Sequence, residues 1–201
     1  LFSLMFQLIF SIFKPMEKKY FKEKILPFLL AIIIILADQI SKAIIVKLYP
    51  IQPGTYMTFG TQLLGDFLQV IHIRNTGVAF SIGAGWNDGV RRALFSIIPI
   101  LVLIALIIVM IKSDEYTPLQ RWAVAGIIGG GFGNIIDRVF RPDGVVDFID
   151  VKWFGLDSKI NLLSMERWPT FNIADAAVVV CGILLAITVI VAAVKDKKEK
   201  K

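Results

Sequence analysis

Cysteine and histidine are nearly absent from the chain, which has one of each, Cys181 and His72. A single cysteine excludes a disulfide framework and a paired-thiol redox motif within the chain. Because Cys181 lies in an apolar run, we expect it to be a buried structural residue. A histidine without cysteine or histidine companions is more often a packed or interfacial residue than a metal ligand, so no metal site is predicted at His72.

Charged residues are also scarce: they make up 19% of the 201 residues, whereas hydrophobic residues make up 56%. Soluble globular domains contain roughly 45–50% apolar residues. The mean hydropathy of +0.72 is correspondingly high, and the sequence predicts an integral membrane protein. The net charge is +6, and basic residues crowd into two tails, Lys14 to Lys24 and Lys195 to Lys201. Such tails favour an anionic cytoplasmic leaflet, and without a nucleic-acid-binding motif they predict no nucleic-acid partner.

Four apolar stretches are candidates to cross a bilayer, which takes about 20 residues of helix. They cover residues 25–46, 93–111, 122–136 and 171–194. The predicted fold class is therefore a membrane protein, mainly α, with four transmembrane helices. We expect three parts: an extension and basic cytoplasmic tail over residues 1–24, a four-helix membrane domain over 25–194, and a basic cytoplasmic tail over 195–201. Residues 1–15 carry an apolar run too short for a span, and we expect them to be dispensable.

The two long connections, residues 47–92 and 139–171, differ from the apolar stretches in their sequence pattern. Short β-prone runs alternate there with turn formers, which predicts a small extracytoplasmic β-rich region and a loop. Alternation in VVDFIDV would place Val145, Asp147, Ile149 and Val151 on one face of a short strand. Since both basic tails belong on the cytoplasmic side, four spans put these two connections outside and the short link at 112–121 inside.

Polar residues interrupt the apolar stretches, where they are costly and usually functional. Asp38 and Lys42 share a helix face, on which they either form a structural ion pair or contact a ligand. Asn134, Asp137 and Arg138 follow a glycine-rich stretch whose four-residue spacing favours close helix packing.

Asp175 poses a separate choice between a structural and a chemical role. It falls at the third helical position after Asn172, a good N-cap, where a carboxylate is favoured by the exposed amides and the helix dipole. The predicted topology nevertheless brings Asp175 to the same outer membrane face as the other polar residues. Polar residues from segments far apart in the sequence thus come together at one membrane face, which favours a chemical role for Asp175 over capping alone.

Five motifs, in order along residues 25–194, carry a family resemblance: DQISK at 38–42, NTGVAFS at 75–81, GGGFGNIIDR at 129–138, VVDF at 145–148 and FNIAD at 171–175. Together they resemble the bacterial lipoprotein signal peptidases, signal peptidase II. The resemblance implies a four-span aspartic endopeptidase that removes the signal peptide from prolipoproteins, cleaving before a diacylglyceryl-modified cysteine. It also implies a multi-pass protein of the bacterial inner membrane with its active site near the outer face.

The resemblance assigns roles to nine residues. The implied catalytic pair is Asp147 and Asp175. The residues implied to hold substrate are Asn75, Asn134, Arg138 and Asn172, and those implied to form a supporting network are Asp38, Lys42 and Asp137. The implied partners are diacylglyceryl-modified prolipoproteins and membrane lipid, and we expect a monomer.

The residue types fit this chemistry on their own. Peptide hydrolysis needs a base to activate water and an acid to protonate the departing amine, and two adjacent carboxyls that share one proton supply both. Such a mechanism requires no metal and no other cofactor, and none is predicted. Which carboxyl holds the proton is left open. The segment from Val151 to Thr170 is longer than in many relatives, so the shape of the outer loop is open as well.

The alternative function is a small proton-coupled membrane transporter component, since charged residues within spans can form proton relays. It would need polar residues spread through the bilayer depth or inverted repeats, whereas the second span and the inner part of the fourth are nearly featureless. A presenilin-like intramembrane protease would carry Gly-x-Gly-Asp, but the chain has Asn134 in place of that aspartate.

Overall fold

The computed structural model describes residues 18–76, 88–141, 143–152 and 166–199. Four long helices dominate it: α1 Phe28–Leu48, α2 Asp88–Lys112, α3 Pro118–Phe140 and α4 Ile173–Glu199. A helical turn Lys18–Tyr20 and a π-helical turn Phe21–Ile25 lead into α1. The three strands are β1 Met57–Leu64, β2 Leu68–Asn75 and β3 Val145–Val151. The N-terminal segment 1–15 lies outside the described residues, as does most of the long loop after β3.

All four predicted spans are confirmed as helices long and apolar enough to cross a membrane. The helices extend beyond the apolar stretches because backbone hydrogen bonding continues where side chains become polar. Residues 88–92 are the first turn of α2 rather than part of the outer connection, and α4 continues through the basic segment as far as Glu199. The start of α3 is fixed by a capping box, in which Thr117 and Gln120 satisfy each other's backbone N–H groups, with Pro118 at the first helical position.

The glycine-rich helix α3 lies at the centre of the bundle and contacts the other three helices. Of its membrane span 61% is buried, against at most 22% for the other spans. A Cβ on Gly129 would lie 2.8 Å from the backbone of Ala31 in α1, and one on Gly130 would collide with the carbonyl of Ala174 in α4. Close backbone approach is therefore what the small residues provide. Cys181 contacts Gly126 at this interface but is half-buried rather than fully buried, because α4 exposes its other face.

One end of the bundle is fastened by basic side chains. Lys24, in the lead-in to α1, forms an ion pair with Asp114 in the α2–α3 link at 2.6 Å. Arg121 is buried and donates to the carbonyls of Met110 and Ser113 at 2.6 and 2.8 Å, which caps the C-terminus of α2. The N-terminal basic segment and the short link therefore lie at the same end of the bundle.

The three strands form an antiparallel sheet in the order β1-β2-β3. The predicted strand at VVDFIDV is confirmed, but its burial does not alternate, since residues 145–148 are all buried. Both faces are covered: Val146 and Phe148 on one face pack with Ile45 at the end of α1, and Asp147 on the other face contacts Asn172. Phe171 pairs with Ile149 on the free edge of β3, with N–H to O distances of 2.8 and 3.1 Å. This pairing holds the start of α4 beside β3.

A cluster of ion pairs joins the sheet to the segment before α4. Arg167 donates to Asp150 in β3 at 2.7 Å and to Asp66 in the β1–β2 turn at 2.9 Å, and Lys152 also pairs with Asp66. The pKa of Asp66 is lowered, chiefly by its hydrogen bond from Lys152.

Candidate active site

Asp147 and Asp175 come from separate elements, and Asn172 hydrogen-bonds to both. Asp147 lies in β3 and is 3% exposed, while Asp175 lies in the first turn of α4 and is half-buried. The side-chain amide of Asn172 donates to Asp147 Oδ1 at 2.7 Å, and its backbone N–H donates to Asp175 Oδ2 at 3.1 Å. Asp175 N–H in turn donates to Asn172 Oδ1 at 3.0 Å. Asn172 therefore caps α4 together with Asp175 and at the same time contacts Asp147.

Two further asparagines complete the contacts to the carboxylates. Asn75 Nδ2 donates to Asp147 Oδ2 at 2.9 Å, across the β2–β3 pair in which Ile73 lies opposite Asp147. Asn134 Nδ2, from α3, donates to Asp175 Oδ1 at 2.7 Å. Each carboxylate thus accepts from Asn172 and from one asparagine of another element. The predicted residues Asn75, Asn134 and Asn172 are all brought to the pair.

The environment of Asp147 favours its protonated form. The pKa of Asp147 is raised to about 7, chiefly by burial and also by the negative charge of Asp175. The hydrogen bonds from Asn75 and Asn172 and the charge of Lys42 act in the opposite direction because they stabilise the ionised form. A carboxyl with this pKa can hold or release a proton near neutral pH.

A fully buried group of charged residues lies directly behind the pair. Lys42 Nζ contacts Asp38 Oδ2 at 2.8 Å, Asn134 Oδ1 at 3.0 Å and Asp137 Oδ2 at 3.1 Å, so all three of its N–H donors have acceptors. Of the two readings open from the sequence, the ion pair between Asp38 and Lys42 is the one that the structure contains. The buried charges are compensated, as a low-dielectric interior requires.

The same group of charges positions the backbone of the site. Asp38 Oδ1 accepts from Ala174 N–H at 3.1 Å, next to Asp175 in α4. Asp137 Oδ2 accepts from Val146 N–H at 3.0 Å, next to Asp147 in β3. Each of these two aspartates therefore fixes the residue that precedes one member of the candidate pair.

Two residues of this network were not predicted. The Gln39 amide nitrogen lies 3.0–3.1 Å from acceptors on Asp38, Asp137 and the Gly133 carbonyl, which share its two hydrogens. Arg141 pairs with Asp137 at 3.2 Å. The sequence signals were present but weak. Gln39 is a polar residue within an apolar span, and Arg141 lies four residues after Asp137.

Arg138 faces a different space from Asp137. It borders a cavity of about 290 Å³ between α2, α3 and α4, together with Asn134 and Asp175 and apolar side chains that include Leu103 and Val178. The Nε atom of Arg138 is buried and has no hydrogen-bond partner among the described residues. The cavity thus combines an apolar wall with an unused cationic donor beside one member of the carboxylate pair.

Comparison with known proteins shows the family to which the chain belongs. The family model for signal peptidase (SPase) II matches residues 30–191, which include every residue of the site. The chain belongs to the signal peptidase II family. This is a family of aspartic peptidases that process lipoproteins, and the transporter alternative is not supported.

Relatives within signal peptidase II match most of the chain. The lipoprotein signal peptidase of Treponema denticola is 47% identical over 181 residues, which cover 89% of this chain and 96% of the relative. That of Treponema pallidum is 43% identical over 178 residues, covering 89% and 88%. A bacterial membrane enzyme structure determined by the in meso method is 34% identical with a TM-score of 0.62, covering 87% of this chain and 91% of that one. The similarity to this solved structure therefore agrees with the four membrane-spanning helices of the chain.

Proposed function

We propose that this signal peptidase II removes signal peptides from prolipoproteins with Asp147 and Asp175 as its catalytic pair. The observation that carries the assignment is the double contact of Asn172, whose side chain binds Asp147 at 2.7 Å and whose backbone binds Asp175 at 3.1 Å. A role in capping alone would explain Asp175 but not Asp147, which is a buried carboxylate on a different element.

The proposed reaction uses one proton that Asp147 and Asp175 share. Asp147 is the proposed acid, because its pKa is raised to about 7, chiefly by burial, and a carboxyl with this pKa can hold and release a proton near neutral pH. Asp175 is the proposed base: it takes a proton from a water molecule, whose oxygen attacks the scissile carbonyl carbon as Asp147 protonates the carbonyl oxygen. The tetrahedral intermediate is a gem-diol. As its C–N bond breaks, Asp175 gives its proton to the departing amine and a hydroxyl of the intermediate returns a proton to Asp147, so the product is a free carboxyl group and the pair again holds one proton.

Arg138 and Asn134 are the residues we assign to substrate binding at the edge of the pair. The unpartnered Nε of Arg138 can donate to a substrate carbonyl, and the apolar wall of the neighbouring cavity suits a signal peptide or an acyl chain. Asn75 and Asn172 orient Asp147. Asp38 and Asp137 hold the backbone N–H groups of the residues that precede Asp175 and Asp147. Lys42 pairs with both of these carboxylates, and all three act as positioning residues.

The substrate, topology and oligomeric state follow the same proposal. The substrates are prolipoproteins whose cysteine carries diacylglyceryl, because the acyl chains can stay in lipid while the scissile bond reaches the carboxylates. Both basic tails lie in the cytoplasm and the active site lies near the outer face of the bacterial inner membrane. The enzyme acts as a monomer, since all nine assigned residues come from one chain.

The test is cleavage of a diacylglyceryl-modified prolipoprotein by purified protein in detergent, with and without a chelator. Asp147→Asn and Asp175→Asn are each expected to abolish cleavage at an unchanged folded yield, while chelator has no effect. Asp150→Asn is the matched control, because Asp150 is a buried aspartate of the same strand β3 that contacts Gln69 and Arg167 instead. Survival of cleavage in either dyad variant would remove that residue from the assignment.

A further inference from the structure

A second cavity lies on the opposite face of β2 from the candidate catalytic pair. It measures about 550 Å³, within the range of about 300–1,000 Å³ typical of small-molecule sites. Side chains alternate along a strand, so Asn75 turns toward Asp147 whereas the neighbouring residues Arg74 and Thr76 line this cavity. His72 lies on the same face of β2 and also lines it. A ligand here would not occupy the space beside the carboxylate pair.

The cavity contains opposite charges that do not pair with each other. Arg74 and Asp143 both line it, yet neither side chain forms a hydrogen bond or an ion pair with any described residue. Arg74 is half-buried. Burial is the main cause that lowers the pKa of its guanidinium, and the charge of Arg141 lowers it too, whereas the charges of Asp143 and Asp137 act in the opposite direction. A ligand that itself carries separated opposite charges would satisfy both groups.

His72 adds a hydrogen-bond acceptor to the cavity. Its Nδ1 lies 2.7 Å from the carbonyl oxygen of Tyr49, so Nδ1 carries the hydrogen and donates it. Burial lowers the pKa of His72, which keeps the ring neutral and leaves Nε2 with a free lone pair. Nε2 is buried without a hydrogen-bond partner among the described residues. An N–H or O–H donor that reached Nε2 would satisfy it.

The position of the cavity identifies a lipid as the occupant. Its apolar wall comes from Val46, in the last turn of α1, and from Ile51 just beyond that helix. Because Phe21–Leu48 is a membrane span, this wall lies at the level of the phospholipid headgroups. We propose that the cavity binds the headgroup of a zwitterionic phospholipid with a primary amine, its phosphate at Arg74 and its ammonium at Asp143 and His72 Nε2.

The test compares lipids that differ only in the headgroup. Delipidated protein in detergent is titrated with dioleoyl phosphatidylethanolamine and with dioleoyl phosphatidylcholine, and bound lipid is counted by native mass spectrometry. The choline headgroup has the same charges but no N–H donor. Phosphatidylethanolamine is expected to bind at least about tenfold more tightly, the value of one charge-assisted hydrogen bond. Equal binding of the two lipids by the wild-type protein would overturn the proposal without any substitution.

Variants then localise the site. Arg74→Gln and Asp143→Asn are each expected to weaken phosphatidylethanolamine binding about tenfold. Lys47→Gln is the matched control, because it removes a positive charge from the exposed side of the same end of α1 without touching the cavity. If Lys47→Gln weakens binding as much as Arg74→Gln, the attraction is a general surface effect and the proposal is wrong.

Another possible result would show that the cavity binds the peptide substrate instead of a phospholipid. If Arg74→Gln raises the KM for a lipopeptide but leaves phosphatidylethanolamine binding unchanged, the cavity holds peptide rather than lipid and the proposal is likewise wrong. The proposal stands apart from the catalytic assignment, since Asp175→Asn protein is expected to bind phosphatidylethanolamine as the wild type does.

Discussion

Lys42 Nζ donates to Asn134 Oδ1 at 3.0 Å, and Asn134 Nδ2 donates to Asp175 Oδ1 at 2.7 Å. Asn134 therefore links a fully buried ion network to the candidate catalytic pair. Since the network also contacts the backbone beside both aspartates, its integrity sets the geometry of the site as well as the stability of the bundle.

Replacement of Lys42 by methionine would leave Asp38 and Asp137 buried without their shared cation. Removing one partner of a buried ion pair costs about 3–5 kcal/mol, because the remaining charge is uncompensated. We expect Lys42→Met to lower the free energy of unfolding in detergent by that amount and to lose cleavage. Lys47→Met, on the exposed face of the same helix, is the control and should change stability little. Equal stability of the two variants would mean that the network is not a stabilising feature.

Gly133 marks a place where no side chain fits. A Cβ there would lie 2.8 Å from Asp38 Oδ2 and 3.0 Å from Ala174 Cβ, so alanine must displace the buried Asp38 carboxylate and crowd α4. We expect Gly133→Ala to destabilise the protein by about 1–3 kcal/mol, typical of overpacking, and to reduce cleavage. Gly182→Ala in α4 adds the same methyl group where nothing lies within 4 Å, and higher helix propensity should make it neutral or stabilising by up to about 1 kcal/mol. Thermal unfolding of the two variants distinguishes crowding from helix propensity.

The spans and two contacts of the candidate site could be predicted from local sequence, since they rest on short-range patterns, whereas the roles of the site residues came from the family resemblance. Asp38 and Lys42 are four residues apart on one helix, and Asn172 precedes Asp175 at capping distance, so their contacts follow from helix geometry. Contacts between distant segments could not be predicted in this way. The pairing of Phe171 with Ile149 depends on tertiary packing, and it is this pairing that brings Asn172 to Asp147.

Burial of β3 shows the same limit. Alternation predicts one buried face when a sheet has solvent on the other, but α1 packs on one face of β3 and Asn172, just before α4, contacts Asp147 on the other face. Gln39 was similarly underestimated because a glutamine in an apolar span gives no indication of which helix it faces. Its three acceptors lie on α1 and α3.

Asn172 combines two roles that different substitutions separate. Serine keeps an oxygen that can accept from Asp175 N–H, but it has no amide to donate to Asp147. We expect Asn172→Ser to unfold close to the wild type and yet lose most cleavage. Asn172→Ala should lose cleavage too and also about 1 kcal/mol of stability, the usual cost of a lost N-cap. Full activity in the serine variant would show that the cap alone matters.

The pH dependence of cleavage tests the electrostatics of Asp147. Its pKa is raised to about 7, so Asp147 keeps its proton below that pH and loses it as pH rises through that value. If Asp147 is the acid, kcat must fall on the alkaline side of about pH 7. The hydrogen bond from Asn75 stabilises the ionised carboxylate and holds this pKa down.

Removal of that donor should therefore move the alkaline fall upward. We expect Asn75→Ala to shift it by about one pH unit, because a hydrogen bond to a charged group contributes about 1.5 kcal/mol or more and one unit corresponds to 1.36 kcal/mol. Gln69→Ala is the matched control, since Gln69 is an amide donor on the same strand that binds Asp150 rather than Asp147. The measurement is kcat against pH for the three proteins. A fall that stays in place in Asn75→Ala, or moves to lower pH, would mean that Asp147 does not supply the titrating proton, and the acid role would pass to Asp175.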